Sequence, residues 1–316
     1  MTPLSAATQL LEVVSATLAA PIFLGWVNQC RAWLQNRTAP SVLQPYYGLR
    51  KLLHKDAVLA ENASPLFRAA PYVVFGTMVV AAAIIPSMGT GLPMSAAADG
   101  IALVGLLATA RVFLSLAAMD VGTAFGSLGA RREMMVGFLA EPALLMILFV
   151  AALISGTTSL PLIAEGLSSH ALGLYPSLAF TAVAFVLVLL AENARIPIDN
   201  PSTHLELTMI HEAMLLEYSA RHLALMEWAA ALKLFNYACI GFALFVPWGA
   251  GNEAAGPLGL LLAVPLLALK LIVAGAVLAL IETLSAKLRV FRAPEFLATA
   301  FLLAVLGLLV HLLLGA

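Results

Sequence analysis

Residues 172–201 read LGLYPSLAFTAVAFVLVLLAENARIPIDNP, which is 20 residues without a formal charge up to Ala191, then Glu192, then a polar stretch broken by Pro197 and Pro201. A helix needs about 20 mainly apolar residues to cross the hydrocarbon core of a bilayer, so the first part of this stretch is a span and the remainder is the loop it enters. Working outward, apolar runs of similar length lie at about 4–27, 71–88, 101–119, 134–154, 223–248, 258–282 and 295–316. With 172–192 they make eight. The runs are continuous, whereas a barrel strand would alternate at period two, and an open strand could not satisfy its backbone in lipid. The expectation is an all-α polytopic membrane protein, a single membrane domain over 1–316.

Composition agrees. Of the 316 residues 62% are hydrophobic and 10% charged, against roughly a quarter charged in soluble domains, and eight spans leave no room for a separate soluble catalytic domain. The formal net charge of −1 offers no basic excess to neutralise a phosphate backbone, so no nucleic acid partner is expected. Cys30 and Cys239 are far apart and belong to no cluster spacing, so neither an iron–sulfur cluster nor haem is expected in this chain. A secretory signal would open with a basic region. Here the first basic residue is Arg31, and the N-terminal run reads as a retained first span.

Orientation follows from the basic residues, because short basic loops stay cytoplasmic. Arg31, Arg37, Arg50, Lys51, Lys55 and Arg68 follow the first span, Arg131 and Arg132 the third, Arg195 and Arg221 the fifth, and Lys287, Arg289 and Arg292 the seventh. The alternate loops, near 89–100, 155–171 and 249–257, hold no Lys or Arg. Both termini are therefore expected on the non-cytoplasmic side. The two long loops, 28–70 and 193–222, are expected in the cytoplasm and carry most of the polar residues, as functional loops do in lean folds.

Ionisable residues also stand inside or at the edges of spans: Glu12, Arg111, Glu141, Glu192, Glu227, Lys233, Lys270, Glu282 and His311. Each costs about 2.5–3.5 kcal/mol at a helix centre on insertion scales, so they are tolerated where they pair or line a polar cavity. Desolvated carboxylates and lysines exchange protons nearer neutral pH than free ones do, which makes the set a candidate proton relay. The structural alternative is that Arg111 and Lys270 pair with nearby carboxylates and that Glu12 and Glu282 sit at membrane edges. His311, alone on an apolar helix, reads as an interfacial or packing residue.

After Pro201 a helix is expected over about Thr203–Tyr218, capped by Asn200 or Ser202. On it Glu206 and Glu217, three turns apart, would share one face, and His204 and His211 another. His211-Glu212 lacks the second histidine of a zinc protease, since position 215 is Leu215, and neither a phosphate-binding glycine loop nor a nucleophile elbow is present.

The run Ala191-Glu192-Asn193-Ala194-Arg195-Ile196-Pro197-Ile198-Asp199, followed by Glu206 and Glu217-Tyr218-Ser219, resembles the signature loop of the respiratory complex I subunit 1 (NuoH) family. The stretch Gln35-Asn36-Arg37-Thr38-Ala39-Pro40, with Gly48-Leu49-Arg50-Lys51-Leu52-Leu53, is similar to that family's first cytoplasmic loop. The segment Thr203–Met214 looks like the corresponding membrane subunit of hydrogenase-4 and formate hydrogenlyase type complexes, membrane-bound nickel–iron hydrogenases related to complex I. Thr38-Ala39-Pro40 stands where the quinone-reducing branch typically has Gly-Pro-Asn.

The resemblance implies a membrane anchor that couples a cytoplasmic redox arm to proton or sodium movement in a bacterial cytoplasmic (inner) membrane. The implied partners are hydrogenase large and small subunits, iron–sulfur subunits and antiporter-like membrane subunits. The nickel–iron centre and iron–sulfur clusters would be on those chains, with no cofactor and no catalytic or metal-ligating residue on this one. It assigns Glu192, Asp199, Glu206 and Glu217 to the junction loop, Glu141 and Glu227 to the ion pathway, and Arg37 and Arg195 to loops that dock the arm. Arg50 and Lys51 belong with that docking surface, and Lys233 and Arg111 join the pathway on physical grounds. Two other readings stay open: a quinone-binding subunit of a NADH:quinone oxidoreductase, and a stand-alone ion transporter.

Overall fold

The computed structural model describes residues 3–91, 93–169, 175–199, 209–249, 256–288 and 292–314. Its helices are α1 (Pro3–Leu34), α2 (Gln44–Leu53), α3 (Pro65–Ile84), α4 (Gly100–Asp120), α5 (Ala124–Ser155), α6 (Leu160–Ser169), α7 (Pro176–Glu192), α8 (His211–Leu215), α9 (Ala220–Phe245), α10 (Gly256–Leu284) and α11 (Ala293–Leu314), with a short 3-10 turn at Pro93–Ala97. Among the described residues there are no strands, only an isolated antiparallel bridge between Asp99 and Ser159.

Among the described residues seven helices, α1, α3, α4, α5, α9, α10 and α11, are long and apolar enough to cross a membrane. The fifth expected span corresponds to α7, an apolar helix of 17 residues, about 26 Å long at 1.5 Å per residue. Helix α5 begins at Ala124, well before the expected 134, because the charged run Arg131-Arg132-Glu133 interrupts the hydropathy without interrupting the helix. Local chemistry sets the ends. Ser64 caps α3 by accepting from the Leu66 N–H at 3.1 Å, with Pro65 at the first helical position. Asp99 caps α4, accepting from Ile101 N–H at 2.7 Å. Gly156 ends α5 in the left-handed conformation, φ 70°.

Two sets of loops gather at opposite ends. At one, Ser219 Oγ accepts from Val58 N–H at 2.9 Å and donates to Val58 O at 2.6 Å, and Leu288 N–H donates to Pro197 O at 2.9 Å. At the other, buried Glu12 of α1 accepts from Ser87 N–H, Ser87 Oγ and Met88 N–H at 2.9, 2.6 and 2.8 Å. There too Gly100 N–H donates to Thr158 O at 3.0 Å and Leu160 N–H to Ala98 O at 2.8 Å. The Thr158 hydroxyl, donating at 2.7 Å, and the Ile101 N–H keep the Asp99 carboxyl below its ordinary range.

Between the ends the helices pack through small buried residues, among them Ala117, Ala130, Ala140, Ala143, Ala184, Ala300 and Ala304, which let backbones approach where lipid supplies no hydrophobic drive. Trp228 Nε1 donates to Thr17 O and Asn236 Nδ2 to Met78 O, both at 2.9 Å, tying α9 to α1 and α3. Outward faces of α10 and α11 carry exposed Leu269, Leu280, Leu302 and Leu309, a surface suited to hydrocarbon or to an apolar neighbour. The interior left between α4, α5, α7 and α9 is where the charged residues meet.

Candidate functional site

Helix α4 brings Arg111 into this interior, and its guanidinium meets three carboxylates from two other helices. Nε lies 3.3 Å from Glu133 Oε1, Nη1 pairs with Glu141 Oε1, and Nη2 pairs with Glu192 Oε1. Lys233 of α9 holds the second oxygen of Glu192, Nζ to Oε2 at 3.0 Å. The buried Tyr237 side chain lies close to Glu192. The planar fork of arginine suits this role, since it can serve several acceptors at fixed angles and never loses its charge. Glu133, Gly137 and Glu141 are spaced four residues apart on α5, so they form one stripe along the helix. A Cβ on Gly137 would lie 2.4 Å from Arg111 Nη1; the guanidinium rests on the gap between the two glutamates.

Three carboxylates and two cations leave the cluster one negative charge in excess. Buried charge is costly unless it is paired and hydrogen-bonded, so an extra proton is the natural partner for the third carboxylate. Arg111 and Glu192 are buried, whereas the Glu141 side chain is 32% exposed. The structure thus brings together four expected residues, Arg111, Glu141, Glu192 and Lys233. It adds Glu133, which hydropathy alone groups with the neighbouring loop charges; the Glu-x-x-x-Gly-x-x-x-Glu spacing is the available signal.

The loop after α7 is organised by Asp199, which is buried. Its Oδ2 accepts from the N–H groups of Ile210 and His211 at 3.2 and 3.1 Å, opening α8. The continuous helix expected over Thr203–Tyr218 is therefore corrected. Met209 and Ile210 are not helical, and α8 covers only His211–Leu215. Glu206 lies outside the described residues. Glu217 follows α8 in a turn, outside any helix. Arg132 Nη1 donates to Met209 O at 2.8 Å, and a Cβ on Gly129 would lie 2.8 Å from Ile210 O and 3.0 Å from the Ala213 Cβ. This segment is pressed onto α5.

Two cavities adjoin α8. The smaller, about 30 Å³, is walled by Arg111, Glu133, Lys233 and His211 among apolar residues of α3, α4 and α9. The larger, about 680 Å³, lies at the loop end and includes Arg31, Gln44, Arg195, Asp199, His211, Glu212 and Glu227 in its wall. Glu227, expected with the ion pathway, thus faces the larger cavity. Glu212 joins it there, while Glu217 lines neither. Burial lowers the His211 pKa below its ordinary value, and Lys233 adds to this, against the upward pull of Glu133, Asp199 and Glu192. Burial likewise pushes the Tyr218 hydroxyl well up; it donates to Phe67 O at 3.1 Å and its ring stacks on Phe67 at 4.1 Å.

A second ion group ties the loop down. Glu282 of α10, buried, lies 3.5 Å from Arg31 Nη1 and 3.3 Å from Arg195 Nη1. Arg195, expected on a docking surface, has a side chain only 11% exposed and is occupied with Glu282. Arg37, Arg50 and Lys51 are exposed, the first beyond α1 and the other two on α2. Lys270 donates to Val246 O at 2.6 Å and sits over the Phe242 ring, and His311 lines neither cavity.

The chain as a whole has counterparts among known proteins. A family model described as NADH dehydrogenase matches residues 7–313. Formate hydrogenlyase subunit 4 of Escherichia coli is 33% identical over 92% of this chain and 94% of its own length. Hydrogenase-4 component C of the same organism is 35% identical over 77% of this chain and 76% of its own. A NADH-quinone oxidoreductase subunit of Symbiobacterium thermophilum is 32% identical over 60% of this chain and 61% of its own. Among solved structures, a chain of the membrane-bound sulfane sulfur reductase, an archaeal respiratory membrane complex, superposes with a TM-score of 0.82 at 20% identity, covering 96% of this chain and 98% of that one.

Proposed function

The chain belongs to the NADH dehydrogenase family, and from that premise we propose that it is the membrane-anchoring, ion-coupling subunit of a membrane-bound hydrogenase complex of the formate hydrogenlyase or hydrogenase-4 type. The observation that carries the coupling role is the buried group in which Glu133, Glu141 and Glu192 share Arg111 and Lys233. A buried group with one carboxylate in excess gains or loses a proton at lower cost than it changes its pairing. It therefore responds to charge arriving in a neighbouring redox subunit. The identity to formate hydrogenlyase subunit 4, spread over 92% of the chain, supports the hydrogenase branch.

In this reading α7 completes eight spans, both termini face away from the cytoplasm, and the chain resides in the bacterial inner membrane. The exposed basic residues Arg37, Arg50 and Lys51 meet a soluble arm that carries the nickel–iron and iron–sulfur centres, and antiporter-like subunits extend the membrane part.

The larger cavity favours a second reading. At about 680 Å³ it falls in the size range of small-molecule sites, which suits a quinone in a NADH:quinone oxidoreductase. Purifying the tagged chain in mild detergent and identifying its companions by mass spectrometry separates the two. Peptides of a nickel–iron large subunit are expected; NADH-oxidising subunits with bound quinone and no hydrogenase would overturn the first reading.

A further inference from the structure

Among the described residues, the walls of the two cavities have His211, Leu215 and Ala230 in common. His211 alone of these can carry a proton. We propose that His211 is the proton-transfer link between the loop-end cavity and the buried carboxylate cluster, taking a proton at one ring nitrogen and releasing one from the other toward Glu133. This rests on the coupling role proposed above and names the residue through which the cluster is supplied.

Placement makes the link specific. The His211 backbone is held by Asp199 at 3.1 Å. The residues before it are fixed by Arg132 and by the close approach at Gly129, so the imidazole cannot leave the partition by a swing of the segment. On the inner side the smaller cavity, about 30 Å³, has room for about two waters, since one needs about 10–15 Å³. Glu133, in the same wall, is held by Arg111 at 3.3 Å through Nε alone. It is the one carboxylate of the cluster that shares the smaller cavity's wall with His211.

The transfer balances. Hydronium in the larger cavity gives its proton to the neutral ring and becomes water. The imidazolium then protonates the Glu133 carboxylate, directly or through cavity water, and the ring is neutral again. Burial weakens the hold of the ring on a proton, which suits a group that passes one on. The charged groups around the passage are Glu133, Glu192, Arg111 and Lys233 inward, with Asp199, Glu212, Glu227, Arg195 and Arg31 on the loop side. Acids on both sides stabilise the transient imidazolium, and the inner cations oppose a second proton.

The test uses the whole complex purified through this chain. A rapid drop in pH is followed by the infrared carbonyl band of protonated buried carboxyls, with Glu133→Gln identifying the Glu133 contribution. In His211→Ala the equilibrium amplitude should match the unmodified complex while the rate falls about 10²-fold or more, the low end for a positioned proton-transfer group. Added 4-methylimidazole, small enough for the larger cavity, should restore the rate. His211→Gln, which fills the site without carrying a proton, should be equally slow and not rescued. It decides the matter if the alanine variant fails to assemble.

An unchanged rate in either variant, or slowness in His211→Ala that 4-methylimidazole does not relieve, would overturn the link. The measurement needs no hydrogen evolution and no identified partner, so it stands apart from a failure of the hydrogenase assignment. A band that does not titrate in the unmodified complex would instead remove the coupling role itself.

Discussion

Lys233 on α9 places Nζ 3.0 Å from Oε2 of Glu192 on α7, while Arg111 on α4 holds the other oxygen of the same carboxylate. Glu192 is therefore the joint of three helices, and the two cations are unequal. Arg111 meets three carboxylates; Lys233 pairs with one.

Removing Arg111 should consequently be the most damaging change in the cluster. Arg111→Gln leaves three carboxylates, two of them buried, facing a single lysine, and stranding a buried charge costs about 3–5 kcal/mol. Assembled complex on a native gel should fall several-fold, with Lys233→Gln affected less. Equal loss in the two variants would mean that the arginine is not the hub.

Neutralising one carboxylate acts differently, because Glu133→Gln or Glu141→Gln balances the charge that remains. Both variants should assemble near normal levels while coupling of turnover to ion movement, followed by a pH-sensitive dye in proteoliposomes, is strongly reduced. Normal dye signals in both would make these residues structural pairs.

Gly137→Ala tests the seat of the guanidinium without changing any charge. Its Cβ would stand 2.4 Å from Arg111 Nη1, and overpacking of this kind costs about 1–3 kcal/mol. Gly105→Ala in α4, where a Cβ meets nothing within 4 Å, should be neutral or stabilising by up to about 1 kcal/mol. Thermal unfolding in detergent should order the three proteins with Gly137→Ala lowest.

The sidedness of the chain can be read by cysteine labelling of intact cells. Both native cysteines, Cys30 and Cys239, are buried, which keeps the background low. A membrane-impermeant maleimide should reach Thr157→Cys and miss Lys55→Cys. The opposite pattern would invert the proposed orientation.

Most helices are legible in the sequence because a spanning run is long and its hydropathy is unmistakable. The misreadings have local causes. Glu133 is hidden because it adjoins Arg131 and Arg132, and three charges in a row resemble a loop; only the stripe with Gly137 and Glu141 betrays that the helix continues. The loop helix comes out too long because periodicity from Thr203 to Tyr218 carries no sign that Asp199, eleven residues before Ile210, binds the N–H groups that start α8. Arg195 resembles a surface residue because its partner, Glu282, is 87 positions away. Pairings across the fold leave little trace in a single sequence.

The hydrogen bonds that Glu12 makes to Ser87 and Met88, with the bridge between Asp99 and Ser159, bear on where an electrical gradient would fall. In the proposed coupling role, water entering the larger cavity would carry the loop-side potential toward His211, whereas at the opposite end these hydrogen bonds tie loop to helix. A membrane voltage, about 2.3 kcal/mol per elementary charge for each 100 mV, would then fall mainly between the carboxylate cluster and that far end. Loading the cluster from the loop side is almost free of that voltage, and an outward release would have to work against it.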